Sequence, residues 1–357
     1  MDAPRSLNAG TTPTGPRLAD AWYVLALGRE LRARPLARML HGQPVVLFRD
    51  RDGRPAALLD RCAHRNVPLS LGRLEGGELE CAYHGWRFDS RGCATRIPSL
   101  CAAHPERSLV PSLATRERDG LVWVYATPGA EPTHEPHALA KLGSEYGEVT
   151  RVVEAEGSLQ AALENALDVP HTAFLHRGLF RGAGRTNRIR AVVTRAADRV
   201  VTEYLGEPRP EGLAGRLLSP SGGLVTHHDR FLLPSIAEVE YRIGDENHVL
   251  VTAMGTPVDD ARTRLFAVVR FRTRFPRALV RLVLEPVAMR IFAQDAVMLA
   301  HQAEAARRFG GEHYMSTELD LMGPQIARLL RRAELGKARV GDATPDAEFR
   351  REIELEV

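Results

Sequence analysis

Four residues constrain this chain more than any others: Cys62, His64, Cys81 and His84, arranged as Cys-x-His, sixteen intervening residues, then Cys-x-x-His. Thiolates are soft ligands that suit zinc or iron–sulfur clusters, and imidazole suits zinc or an iron poised at higher potential. The spacing separates the two. Zinc sites of the Cys2His2 kind run Cys-x2-4-Cys and then His-x3-5-His, with like ligands adjacent, whereas here each short loop supplies one Cys and one His. Mixed pairs suit a [2Fe–2S] centre whose irons are held by two cysteines and by two histidines, clamped by two hairpin loops from opposite sides. A structural zinc site is the alternative. Pro68 in the turn after the first pair and Gly85-Trp86 after the last ligand speak against it.

The stretches Cys62-Ala63-His64-Arg65-Asn66-Val67-Pro68-Leu69-Ser70 and Cys81-Ala82-Tyr83-His84-Gly85-Trp86-Arg87-Phe88-Asp89 resemble the Rieske family. Imidazoles in place of thiolates leave such a cluster less negative, which raises its potential to roughly −150 to +300 mV from about −400 mV in all-cysteine ferredoxins. A cluster of that potential accepts electrons readily from a ferredoxin or flavin reductase.

At 357 residues the chain has room for two domains or one large one, and needs no disulfides to bury a core. Of its four cysteines, Cys93 and Cys101 remain after the cluster pair and read as buried small side chains, which points to a reducing compartment. The net charge of +3, without massed basic residues, argues against a nucleic-acid partner. The first twenty residues lack an apolar core for a signal peptide, and Arg281, Glu285 and Pro286 interrupt the apolar run Ala278 to Met289 well short of a membrane span. A cytoplasmic protein is expected.

Short apolar runs cut by turns, such as Pro44 to Phe48, Ala57 to Leu59 and Leu121 to Tyr125, predict an all-β domain over 21–130 with two ligand loops at its tip. A flexible tail (1–20) precedes it and a Pro- and Gly-rich linker (131–150) follows. The remainder, 151–357, opens on a helix N-capped by Ser158, returns to strands (Val192-Val193, Val200-Val201, Leu224 to Leu233, Val239 to Ile243, His248 to Met254, Leu265 to Phe271), and closes on helices over Ala278 to Phe309 and Glu318 to Leu335. The fold class is α+β, with an antiparallel sheet and helices in the second domain.

That first helix carries Asn165, Asp168, His171 and His176. Two histidines five residues apart lie about 140° apart around a regular helix, so they share a metal only where the backbone departs from helix, and Pro170 is a candidate for that departure. An oxygen ligand completes a two-histidine, one-carboxylate triad, which leaves positions open on ferrous iron. Asp295 is the candidate, a carboxylate in the otherwise apolar stretch Ile291 to Met298. Packing or solvent exposure is the alternative role for the histidines, and a helix-surface charge that for Asp168.

The segment is similar to the Asn-x-x-Asp-x-x-His-x4-His motif of Rieske non-haem iron oxygenases, so the resemblance runs over about residues 20–310. It implies an oxygenase (alpha) component of the homotrimeric monooxygenase branch that includes vanillate and dicamba demethylases and pheophorbide and steroid oxygenases. The second domain is then helix-grip-like, and Fe(II) is held by His171, His176 and Asp295. Asp168 bridges His171 and the cluster ligand His84 of a neighbouring subunit, and Asn165 is a polar group near the iron. Electrons come from NAD(P)H through a separate ferredoxin or flavin reductase. The substrate is a hydrophobic cyclic small molecule, which is hydroxylated, demethylated or otherwise oxidised. Two readings compete: a ring cis-dihydroxylating dioxygenase subunit, and a non-catalytic Rieske electron carrier. Phe231, Leu233, Val268 and Phe271 are candidates for a pocket wall, with core packing the commoner role for such residues.

Overall fold

The computed structural model describes residues 16–98, 107–176, 188–206, 225–342 and 349–356. Short apolar runs give short strands, and the N-terminal part is built from three small antiparallel sheets. Trp22–Leu27, Leu121–Tyr125 and Thr115–Arg118 form one; Leu36–Leu40, Gln43–Arg49, Pro55–Leu59 and Ser112–Leu113 the second; Arg73–Glu75, Glu78–Glu80, Arg87–Phe88 and Ala94–Arg96 the third. In the third, Gly76 and Gly77 both adopt positive φ (61° and 81°), the two-residue turn whose twist matches an antiparallel hairpin. Val46, Phe48, Leu58, Leu69, Leu79 and Phe88 fill the core between the second and third sheets, and Cys62 and Cys81 are buried in it.

The C-terminal part is one eight-stranded antiparallel sheet. Its spatial order is Gly147–Glu156, Arg262–Arg272, Asn247–Asp259, Ile236–Ile243, Val225–Leu232, Arg199–Leu205, Arg188–Arg195 and Phe349–Glu356. Among the described residues the α-helices are α1 (Leu159–Ala166), α2 (Thr172–Leu175), α3 (Arg277–Phe309) and α4 (Gly323–Glu334). Strand alternation sorts the side chains by face. Phe231, Ala237 and Ala253 pack in one cluster with Leu159 and Leu163 of α1, whereas Ile236, Met254, Phe266 and Val268 pack against Trp22, Trp123 and Tyr125 of the N-terminal part. Residues of the first unit belong to both clusters, and α1 joins them in the first. Among the described residues no helix is long and apolar enough to cross a membrane.

The α+β expectation holds, and Ser158 caps α1 by accepting a hydrogen bond from the Ala161 amide (3.2 Å). Phe231, Leu233, Val268 and Phe271 are all buried, the first three in the core clusters described above. Cys93 is buried; Cys101 and Leu224 lie outside the described residues. Both outermost strands of the sheet go beyond the expectation. Gly147–Glu156 begins inside the expected linker, and Phe349–Glu356 ends the chain's described part; each pairs on one side only and carries charges through most of its length, which hides the alternation. The final helix starts at Gly323 rather than Glu318, because Pro324 sits in its first turn and Thr317 to Asp320 close a side-chain-bonded turn ahead of it.

A charged network ties three central strands together. Glu240 accepts from Arg230 (2.6 Å) and Arg242 (2.8 Å) and lies 3.0 Å from His248 Nε2, while His248 Nδ1 meets the Tyr146 hydroxyl at 2.6 Å. Burial alone pushes the Glu240 carboxyl up, but the two guanidinium groups outweigh it and hold its pKa at about 2, below the ordinary 4.5. A depressed carboxylate adds stability above its unfolded pKa and loses it as pH falls through the folded value. Glu240→Gln is therefore expected to lower stability at pH 7 by on the order of 2 kcal/mol. The gap to wild type should close between pH 4.5 and 2, as read by thermal melts across that range.

Candidate functional site

The two Cys/His loops are one device used twice. In the first, the Cys62 amide donates to Val67 O (2.8 Å) and the Asn66 amide to Cys62 O (2.9 Å); in the second, Cys81 donates to Trp86 O (2.8 Å) and Gly85 to Cys81 O (3.0 Å). Each turn closes through a residue at positive φ, Asn66 at 60° and Gly85 at 68°. Asn and Gly are the residues that adopt this conformation at least cost. Both thiols are buried beside one another, and the His64 and His84 rings lie 4.6 Å apart, with Trp86 stacked on His64 at 4.9 Å and 10°. His64 Nδ1 is buried with no hydrogen-bond partner. Such an orphan is costly unless something else takes its lone pair. Two adjoining thiols, two adjoining imidazoles and that orphaned nitrogen fit a [2Fe–2S] cluster. His84 itself is exposed and leans on Tyr83 (3.8 Å).

The second constellation forms where α1 stops. After Ala166 the chain leaves the helix, and His171 and His176 stand at the two ends of the single turn α2. Pro170 precedes both histidines and lies in the non-helical stretch that separates α1 from α2. The backbone departs from helix again at His176 (φ −104°, ψ 36°). Their Nε2 atoms lie 3.3 Å apart, and Asp295 Oδ1, reaching in from α3, sits 3.1 Å from His176 Nε2 and 3.5 Å from His171 Nε2. Asp295 Oδ1 is buried and neither contact is angled as a hydrogen bond. Three ligand atoms of the kind that hold ferrous iron thus converge, all within 4.8 Å of one another.

The outer nitrogens are held too. His171 Nδ1 lies 3.2 Å from Asp168 Oδ2, and His176 Nδ1 lies 2.9 Å from Gln294 Oε1. Both acceptors require N–H at Nδ1 and leave Nε2 as the lone pair facing the centre. Burial pulls the His171 imidazolium down, but the Asp168 and Asp295 carboxylates outweigh it and hold its pKa up at about 9. His176 is buried (1% exposed), whereas the Asp168 side chain is 41% exposed. Among the described residues its carboxylate bonds only to His171. Asn165 contributes its backbone carbonyl to the end of α1, and its side chain is half-buried. Glu285 and Glu304, the other carboxylates of α3, are engaged by Arg151 and Arg281 and by Arg307 and Arg308. Gln294 was not singled out by the sequence; its one signal is an amide beside the acid in an apolar helical stretch.

The Rieske [2Fe-2S] domain family matches residues 21–113, and the vanillate O-demethylase oxygenase C-terminal domain family matches residues 155–335. The chain belongs to the Rieske oxygenases of the vanillate O-demethylase type. Similar to this Rieske oxygenase chain is the dicamba O-demethylase oxygenase component of Stenotrophomonas maltophilia, 38% identical over 162 residues, 44% of this chain and 47% of that protein. So is the chloroacetanilide N-alkylformylase oxygenase component of Rhizorhabdus wittichii, 29% identical over 225 residues, 59% of this chain and 61% of that protein. The chain spans about half the length of the curated relatives it matches. Among solved structures, dicamba monooxygenase bound to 3,6-dichlorosalicylic acid superposes with a TM-score of 0.73 at 25% identity, over 91% of this chain and 100% of that one.

The two constellations draw on separate residues in separate units, so as metal sites they are expected to fail separately. His171→Ala, His176→Ala or Asp295→Ala should lose mononuclear iron while the visible absorbance of the cluster persists. Cys62→Ser or Cys81→Ser should bleach the cluster and destabilise the first unit, as metal analysis and visible spectroscopy of each purified variant would report.

Proposed function

We propose that this chain is a terminal oxygenase component that draws electrons from NAD(P)H through a separate ferredoxin or flavin reductase in the cytoplasm. It uses O2 to hydroxylate, demethylate or otherwise oxidise a hydrophobic cyclic small molecule. The observation that carries this reading is the convergence of His171 Nε2, His176 Nε2 and Asp295 Oδ1 in a chain that also joins a Rieske domain to a vanillate O-demethylase-type domain. The names of the relatives, an O-demethylase and an N-alkylformylase, support removal of a small alkyl-type group over ring dihydroxylation.

Cys62, Cys81, His64 and His84 would hold the cluster, and His171, His176 and Asp295 the mononuclear iron. Iron bound there supplies the one-electron chemistry that O2 requires, on a three-ligand face that leaves positions open. The chain's own residues supply the rest. Asp168 keeps the proton of His171 on Nδ1, and Gln294 does the same for His176, so both imidazoles present a lone pair inward. The burial of His176 keeps water from one side of the site. Asp168 and His84 are both exposed within one chain. That suits a homotrimer in which the carboxylate of one subunit meets His84 of the next.

Incubation with a reductase, NADH and 18O2 tests the reaction: one labelled oxygen in the product, or labelled aldehyde released from an alkyl group, is expected, and a cis-diol carrying two labels would overturn the assignment. For the bridge, Asp168→Asn should retain both metals yet slow electron delivery in single-turnover experiments by about 10- to 100-fold, because a neutral amide holds two imidazole donors less firmly than a carboxylate. Turnover by a strict monomer would refute the route between subunits.

A further inference from the structure

Gln294 is the one polar side chain, among the described contacts of the site, whose role the family resemblance did not supply. It lies on α3 directly before Asp295, half-buried, with Oε1 2.9 Å from His176 Nδ1. Asp295 Oδ1 is 3.1 Å from Nε2 of the same ring. Two consecutive residues of one helix therefore clasp both nitrogens of one imidazole. We infer that Gln294 is a positioning residue that fixes the tautomer and ring orientation of His176 and thereby sets the affinity of the mononuclear site for its divalent metal. The inference rests on the reading of His176 as a ligand.

The chemistry requires an acceptor at this place. A neutral imidazole carries one N–H, and a ring that presents Nε2 to a cation must carry it on Nδ1. Gln294 Oε1 accepts that hydrogen; the opposite amide orientation would donate to Nδ1 and drive the hydrogen onto Nε2, where it would compete with the metal. The two histidines are held unequally. His171 leans on a carboxylate, 41% exposed, whereas His176, 1% exposed, leans on a neutral amide. The amide makes the hydrogen bond without adding a third negative charge beside Asp168 and Asp295, which a buried site would have to neutralise.

The test uses the full chain with its cluster intact and Co(II) as the probe at the emptied mononuclear site, with affinity read by chelator competition. Gln294→Leu, similar in size and without an acceptor, is expected to weaken Co(II) binding by about 10- to 100-fold, the usual cost of losing a ligand's hydrogen-bond partner. Gln294→Glu, which restores an acceptor, should bind much more tightly than the Leu variant. Should Gln294→Leu fail to fold, Gln294→Asn, which withdraws the amide by one methylene, is expected to show the same loss. Wild-type affinity in whichever of the Leu and Asn variants folds overturns the inference, and so does a Glu variant as weak as Leu. His176→Ala is the control: unchanged Co(II) affinity there would sink the ligand reading itself, whereas a loss there combined with none in the Gln294 variants sinks only the role of Gln294.

Discussion

Everything at the centre of this molecule follows from placing two imidazole nitrogens and a carboxylate oxygen within 3.1 to 3.5 Å of one another. Left alone, such a cluster is expensive, because lone pairs face lone pairs and a buried carboxylate oxygen has no donor angled toward it. Only a proton or a cation at the middle relieves it. The Asp168 and Asp295 carboxylates raise the pKa of His171, the direction expected where negative charge gathers around an imidazole. The rest of the local structure holds the three groups against that cost. Ser158 starts α1, the chain leaves helix after Ala166, and α3 packs along the neighbouring edge strand with Asp295 turned inward.

The first unit solves the same problem differently. Rather than one helix end and one distant helix, it repeats a single turn: Cys62 to Val67 and Cys81 to Trp86 make the same pair of backbone hydrogen bonds around a residue at positive φ. The repeat explains why Asn66 and Gly85 occupy equivalent places although the histidines do not, His64 following its cysteine by two residues and His84 by three. Backbone geometry is fixed by the turn; which neighbouring position carries the imidazole is then free to differ, so that one ring lies under Trp86 and the other reaches solvent.

Much of this was legible in the residues, for identifiable reasons. The metal-directed side chains were readable because Cys, His and a lone Asp in an apolar helix are costly or reactive unless used. Central strands such as Leu121–Tyr125 were readable because both their faces are buried. The edge strands Gly147–Glu156 and Phe349–Glu356 were not, because a strand paired on one side keeps polar residues along its free edge and resembles a linker or a charged tail. A departure from helix was anticipated at or near Pro170, which lies in the non-helical stretch between α1 and α2, and a second one falls at His176. Gln294 escaped because glutamine is ordinary in helices and only the distance to His176 gives it meaning.

The unequal treatment of the two histidines links the buried chemistry to the surface. His176 is buried and held by a neutral amide of its own chain. His171 is held by a carboxylate that is 41% exposed and uses one oxygen on the ring, and the other oxygen is available to a group beyond this chain. A donor arriving there changes the field at His171 directly, through one side chain and without moving a helix. The exposed ring of His84 is a donor of the right kind, offered by the other metal-directed loop of the same sequence. Two groups that lie exposed within one chain and complement each other chemically are what the proposed association between copies would join.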